Sequence, residues 1–197
     1  MKGVVLIHGR GGSGRDMRSL LAPLGLSDAA LATPEAPGHS WWPTSFLAPT
    51  SEMEPHVEVG LSAIEAAVTG LDLPRSDIAL IGFSQGACLA LEYTARRGKG
   101  LGAAVGLSGG LVGTADGSGQ IWGYPDKLFD YDTDLTGVPV LVTCHTQDPH
   151  IPLVRAEASA RVLTALGAGA EMMIHPGPGH QPMPEGIAAA RRMLGTA

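Results

Sequence analysis

Short apolar runs alternate with longer amphipathic ones along this chain. Val4–Ile7, Ala29–Ala32, Ile78–Ile81, Ala103–Leu107, Val138–Thr143 and Glu171–Ile174 read as strands. Most are near-continuous apolar stretches, the pattern of parallel strands covered on both faces, with Ala29–Ala32 the Ala-rich exception. Between them Arg15–Leu24, Pro55–Gly70, Gln85–Arg97, Leu153–Leu166 and Glu185–Leu194 carry helical periodicity. In the fourth of these, Val154, Ala158, Val162 and Ala165 share the apolar face, while Arg155, Glu157 and Arg161 point elsewhere. Strand–helix alternation predicts a three-layer α/β fold of about six mostly parallel strands, with right-handed crossovers and helices on both faces. Sites of open α/β sheets lie beyond the carboxyl ends of the strands, so the chemistry is sought in the segment after each strand.

Two segments break the rhythm. Residues 35–54 contain APGHSWWPTSFLAPTSE, and residues 109–137 run from GGLVGTADGSG to YDTDLTG, with no sustained period. Loops this long in a compact domain are usually functional or disordered.

The length of 197 residues suits one domain spanning 1–197. A net charge of −6 gives no basic footprint for nucleic acid or an anionic membrane, which leaves a small molecule or a protein as partner. No stretch approaches the roughly 18 apolar residues of a membrane span, and the apolar run after Met1 is too short for a signal-peptide core. Cys88 and Cys144 have no metal-ligand spacing and sit in apolar surroundings, as reduced core residues do. A cytoplasmic protein is expected.

The stretch LIGFSQGACLALEY places Ser84 between Gly82 and Gly86. In so glycine-rich a chain about 0.2 Gly-x-Ser-x-Gly matches arise by chance, and a second one surrounds Ser108. Context separates them. A nucleophile elbow is a strand, a strained turn carrying Ser, then a helix, and Ser84 has DIALIGF before it and QGACLALEYTARR after it. Ser108 leads into GGLVGTADGSG, which cannot start a helix, and reads as a small residue at a strand end.

A serine nucleophile needs a base and a group that orients the base, and on this scaffold they follow in the order Ser, acid, His. Asp148 comes just past a strand in HTQDPHIP, whereas Asp126, Asp130, Asp132 and Asp134 lie in the long loop, attached to no strand end. His180 stands several residues out on the loop HPGPGHQP, while His175 is still at the strand terminus. The backbone donors for an oxyanion are expected at Gln85, directly after the nucleophile, and at Arg10 in the loop HGRGGSG. Trp41, Trp42 and Phe46 follow the second strand and are expected to wall the substrate pocket, with Leu47 beside them.

Two rival readings come from the same residues. Gly9-Arg10-Gly11-Gly12-Ser13-Gly14 matches the dinucleotide fingerprint, with Glu35 at the spacing of the ribose-binding acid. Its weaknesses are the prolines Pro34 and Pro37 around Glu35 and the failure to explain Ser84, Asp148 and His180. A metal cluster of His145, Asp148 and His150 lacks any supporting motif.

Through VVLIHGRGGSG, IALIGFSQGACLALEY, GLSGGL, DPHIPLVRAEASARVLTALG and PGPGH, the chain resembles the phospholipase/carboxylesterase branch of the α/β-hydrolase superfamily, which includes acyl-protein thioesterases. The resemblance runs from Val4 to His180. It implies Ser84, Asp148 and His180 as triad, the Arg10 and Gln85 N–H groups as oxyanion hole, no cofactor and no metal. It also implies esters or thioesters of short to medium acyl chains as substrates. This sequence departs in lacking the usual strands before the first apolar run, which leaves the oligomeric state open, a homodimer included, and in its own 109–137 loop. A dienelactone-type hydrolase, a protein thioesterase and a non-catalytic binding protein are the other functions considered for such a chain.

Overall fold

The side chains of the first strand decide the layering. In β1 (Gly3–Ile7) Val4 and Leu6 point to one side of the sheet, Val5 and Ile7 to the other, and all four are fully buried. A strand with two apolar faces needs a helix layer over each. The computed structural model describes residues 1–116 and 127–197, and among them it contains five further strands: β2 (Ala30–Ala32), β3 (Ile78–Phe83), β4 (Ala103–Leu107), β5 (Pro139–Gln147) and β6 (Gly169–Pro178). All pair in parallel in one sheet, ordered β2-β1-β3-β4-β5-β6.

Over the face of Val5 and Ile7 lie α2 (Thr50–Gly70), α3 (Gln85–Arg97) and α4 (Leu153–Ala165), which contribute Leu61, Ile64, Leu89 and Leu163 to the core. The opposite face, with Val4 and Leu6, is covered by Met17 of α1 (Gly14–Met17), by Leu24, and by Ala189, Ala190 and Leu194 of α5 (Pro184–Leu194). Each fully buried Leu, Ile or Val contributes about 1.5–3 kcal/mol. The chain steps outward from β1 to β2, crosses back over β1 to β3, and then runs outward the other way to β6. The reversal places the switch point between β1 and β3, where the loops after both strands diverge and leave a crevice.

Several expectations are corrected. The first helix is predicted over Arg15–Leu24 but is helical only to Met17, followed by a 3-10 turn at Arg18–Leu20. In that turn the Ser19 hydroxyl donates to the Asp16 carbonyl at 2.7 Å. The second starts at Thr50, five residues before Pro55, because tertiary bonds fix its first turn: the Thr50 N–H and hydroxyl both donate to the Thr114 carbonyl, and the Ser51 hydroxyl donates to Asp116. The apolar-face assignment of α4 holds for Val162, which packs against the core, and for exposed Arg161, but fails at Val154, which is exposed, and at Arg155, which is buried with Ala156, Ser159, Ala160 and Leu163. Arg155 is tolerated there because its Nη1 donates to the Leu111 and Gly113 carbonyls at 2.9 and 2.6 Å, satisfying loop backbone that would otherwise lack partners. Finally, β5 and β6 extend well past the predicted ends, so His145 and His175 lie inside paired strands, in register with each other.

Among the described residues no helix is long and apolar enough to cross a membrane.

Candidate active site

The turn at Ser84 follows from crowding at the switch point. A Cβ on Gly82 would collide with the backbone of Gly86, and one on Gly86 with the carbonyls of Ile7 and His8, so the start of α3 comes this close to β1 and β3 only because both positions lack a side chain. The chain reverses between the two glycines, which forces Ser84 to φ 54°, ψ −119°. A non-glycine residue in such a conformation costs about 1–3 kcal/mol and is held by its surroundings. The Ser84 N–H donates to the Leu107 carbonyl of β4 at 2.9 Å, and its own carbonyl accepts the first bond of α3 from Cys88.

Asp148 follows β5 directly. Its Oδ1 accepts the N–H groups of His150 and Ile151 at 2.8 and 2.9 Å, a turn that locks the carboxylate before α4 begins. His180 comes beyond β6 and carries Nδ1 2.8 Å from Asp148 Oδ2 and Nε2 2.8 Å from Ser84 Oγ. With the carboxylate accepting Nδ1–H, the Nε2 lone pair faces the serine hydroxyl. Burial works to raise the Asp148 pKa, but the bonds from His180 and from the Ile151 and His150 N–H groups outweigh it and hold the group below its ordinary value. The three residues that the chain order singles out thus meet at the carboxyl ends of β3, β5 and β6.

The β1 loop comes within contact of the same turn, since a Cβ on Gly9 would lie 3.2 Å from that of Ser84. Among the described residues neither the Arg10 N–H nor the Gln85 N–H donates to a protein acceptor, and Gln85 opens α3, where a helix leaves its first N–H groups unpaired. The Gln85 side chain has a separate task. Its Oε1 accepts the Trp41 N–H and its Nε2 donates to the Trp42 carbonyl, both at 2.9 Å, which ties the loop after β2 to the elbow. The Arg10 guanidinium donates to the carbonyls of Pro43 (2.9 Å) and Thr44, and holds that loop from the other side.

A cavity of about 710 Å³ opens over Ser84 and His180, walled by Trp42, Pro43, Phe46, Phe83 and Ile151, with Arg10 and His150 among its polar residues. Trp42 and Phe46 are therefore where expected. Trp41 is not: its ring packs against His8 and its Nε1 donates to the His8 carbonyl at 2.9 Å, so it braces the β1 loop and lines a different groove with His56 and Val59. Leu47 is buried in the core. Cys88 lies at the cavity floor with burial pushing its thiol up to about 12, which keeps it protonated.

The rival chemistries find their residues otherwise engaged. Glu35 accepts the Gly14 N–H at 2.8 Å, at the helix start where a dinucleotide's pyrophosphate would need to bind. The helix after it spans only Gly14–Met17. His145 is buried in β5 with its ring 5.1 Å from that of His175, both oxygens of Asp148 face His180, and among the described residues no group of three His, Cys, Asp or Glu is placed to hold a metal. Ser108 ends β4 at φ 56° with its hydroxyl buried and unpartnered among the described residues, away from the cavity lining. Asp130 and Asp132 line a separate cavity, Asp134 stands 3.5 Å from Lys99, and Asp126 lies outside the described residues. The described part of the 109–137 segment is anchored to Glu92 in the middle of α3. That buried carboxylate accepts from Lys127 Nζ at 3.1 Å, the Tyr131 hydroxyl at 2.8 Å, Arg96 Nε at 2.7 Å and the Val112 N–H at 2.9 Å.

Sequence pattern alone does not mark His150 as a cavity residue. Its place two positions after Asp148 is the available signal, because the turn that fixes the carboxylate also turns the His150 ring into the cavity, edge-on to His180 at 4.8 Å.

A family model described as Phospholipase/Carboxylesterase matches residues 1–197. The crystal structure of a phospholipase/carboxylesterase from Dyadobacter fermentans is 32% identical, covers 98% of this chain and 89% of its own, and superposes with a TM-score of 0.86. Esterase PE8 is 26% identical over 98% of this chain and 91% of its own, at a TM-score of 0.75. SOBER1 from Arabidopsis thaliana, 20% identical over 98% of this chain and 97% of its own at a TM-score of 0.72, shares the fold. No curated protein matches the chain. The parallel six-stranded sheet with its two helix layers is an α/β-hydrolase fold.

Proposed function

The chain belongs to the phospholipase/carboxylesterase family of hydrolases, and we propose that it cleaves carboxylic esters or thioesters of short to medium acyl chains by two-step acyl transfer through Ser84. Support comes from one arrangement above all: His180 lies 2.8 Å from Ser84 Oγ on one side and 2.8 Å from Asp148 Oδ2 on the other.

His180 Nε2 takes the hydroxyl proton as Ser84 Oγ attacks the acyl carbonyl, and Asp148 fixes the ring tautomer and balances the imidazolium that forms. The carbonyl oxygen becomes an oxyanion, bound by the N–H groups of Arg10 and Gln85. A donor of this kind is worth about 3 kcal/mol in the transition state, because it is already oriented when the charge develops. The imidazolium returns its proton to the departing alkoxide or thiolate, which leaves an acyl-serine. Water then attacks with His180 again as base, releases the acid and restores Ser84. The cavity volume of about 710 Å³ and the walls of Trp42, Pro43 and Phe46 suit a substrate of modest size.

The test is steady-state hydrolysis of 4-nitrophenyl and thioester panels by the wild type, Ser84→Ala and His180→Ala. Both variants are expected to lose at least about 10³-fold in kcat with little change in KM. Wild-type turnover in Ser84→Ala would overturn the proposal.

A further inference from the structure

The charge around the cavity does not match the charge of the molecule. The chain carries a net charge of −6, yet among the described residues no Asp or Glu lines the cavity over Ser84, which instead holds Arg10 and His150. The nearest carboxylate, Asp148, has a side chain closed off from solvent, and its oxygens accept from His180 and from the His150 and Ile151 N–H groups. The thirteen-residue helix α3 begins at the cavity lining, at Gln85, and presents its positive end there. Of the Arg10 donors, two are taken by the carbonyls of Pro43 and Thr44, and a guanidinium has five. The His150 ring makes no hydrogen bond to any described residue and is fixed only by its edge contact with His180 and by its backbone bond to Asp148. It is an exposed, unsaturated donor beside the reacting centre.

We propose that the substrate is an ester bearing an anionic group, and that His150, with Arg10 across the cavity, selects it by receiving that group. The proposal rests on the Ser84 hydrolase reading and adds the substrate's charge to it. A hydrogen bond to a charged partner contributes more than one to a neutral partner, so an imidazole N–H here separates substrates that differ only in charge. The leaving group and the acyl chain both pass through the same cavity, and the experiment tells the two positions apart.

Two matched pairs test it. Mono-4-nitrophenyl adipate against 4-nitrophenyl hexanoate places the carboxylate on the acyl side. 4-Acetoxybenzoate against its methyl ester places it on the leaving group. At low ionic strength the wild type is expected to show at least a tenfold higher kcat/KM for the anionic member of one pair. His150→Leu is expected to reduce that ratio about tenfold, and His150→Lys to keep or raise it. An unchanged ratio in His150→Leu, or no anion preference in either pair with both esters turned over, overturns the proposal and leaves the hydrolase reading standing. Failure to hydrolyse any of the four esters would overturn both.

Discussion

Replacing Gly86 by alanine tests how the elbow is built. A Cβ at that position would lie 2.1 Å from the Ile7 carbonyl oxygen and 2.5 Å from that of His8. Real carbon–oxygen contacts stop near 3 Å and both obstacles are backbone, so the start of α3 and the end of β1 must separate by roughly 1 Å. These two segments carry the Gln85 and Arg10 N–H groups, and the shift opens the gap between them. Misplacement of about 1 Å at a reacting centre costs about 10²-fold in rate. Overpacking at a buried joint costs about 1–3 kcal/mol of stability. Gly86→Ala is therefore expected to lower kcat/KM for 4-nitrophenyl acetate by about two orders of magnitude. The same variant is expected to lower the urea midpoint by about 1 M, with m near 2 kcal/mol/M. Gly70→Ala is the matched control, because a Cβ at Gly70 meets open space, and neither quantity should fall. A Gly86→Ala protein with wild-type kcat/KM and midpoint would refute the packing account of the elbow.

Three further outcomes are expected of the same structure. Glu92→Gln leaves Lys127 buried without its counter-charge and is expected to cost about 3–5 kcal/mol in urea unfolding. Burial alone would raise the Glu92 pKa, but Lys127, Arg96, the Val112 N–H and Tyr131 together hold it below the ordinary value. Its stabilisation is thus present above the unfolded glutamate pKa of about 4.3 and lost as pH falls through the lower folded value, so the variant should show a shallower acid limb. Burial, followed by His145, pushes the His175 pKa below 6.5, and the unfolded chain therefore takes up a proton that the folded chain refuses. Stability should fall as pH drops below about 6.5, and His175→Phe should lessen that fall when urea midpoints are compared at two pH values on either side. Phe46→Ala enlarges the cavity beside Ser84 and should move the best substrate of a 4-nitrophenyl ester series to a longer chain.

The elbow was legible because three local requirements coincide there: an apolar strand, glycines where backbones touch, and a helix free of proline. Asp148 and His180 were legible because each follows a strand in the order such a site uses. What escaped depends on contacts between distant segments. The HPGP sequence looks like loop, but β6 is an edge strand, where proline and glycine are tolerated because one side needs no partner. Arg155 was placed off the apolar face of its helix, since nothing in that helix shows the Leu111 and Gly113 carbonyls it meets. Trp41 and Trp42 are indistinguishable by position, and only the Gln85 side chain and His8 determine which of the two faces the cavity. His150 escaped for the same reason, its role being set by where the Asp148 turn points it.

The most direct test of the account is to label the folded protein with a fluorophosphonate at pH 8 and map the adduct by mass spectrometry. Phosphonylation requires a hydroxyl activated by a neighbouring base, which separates Ser84 from a structural serine such as Ser108. A single adduct is expected on the peptide carrying Ser84, lost in His180→Ala. An unlabelled Ser84, or an adduct on Ser108 in its place, would contradict it.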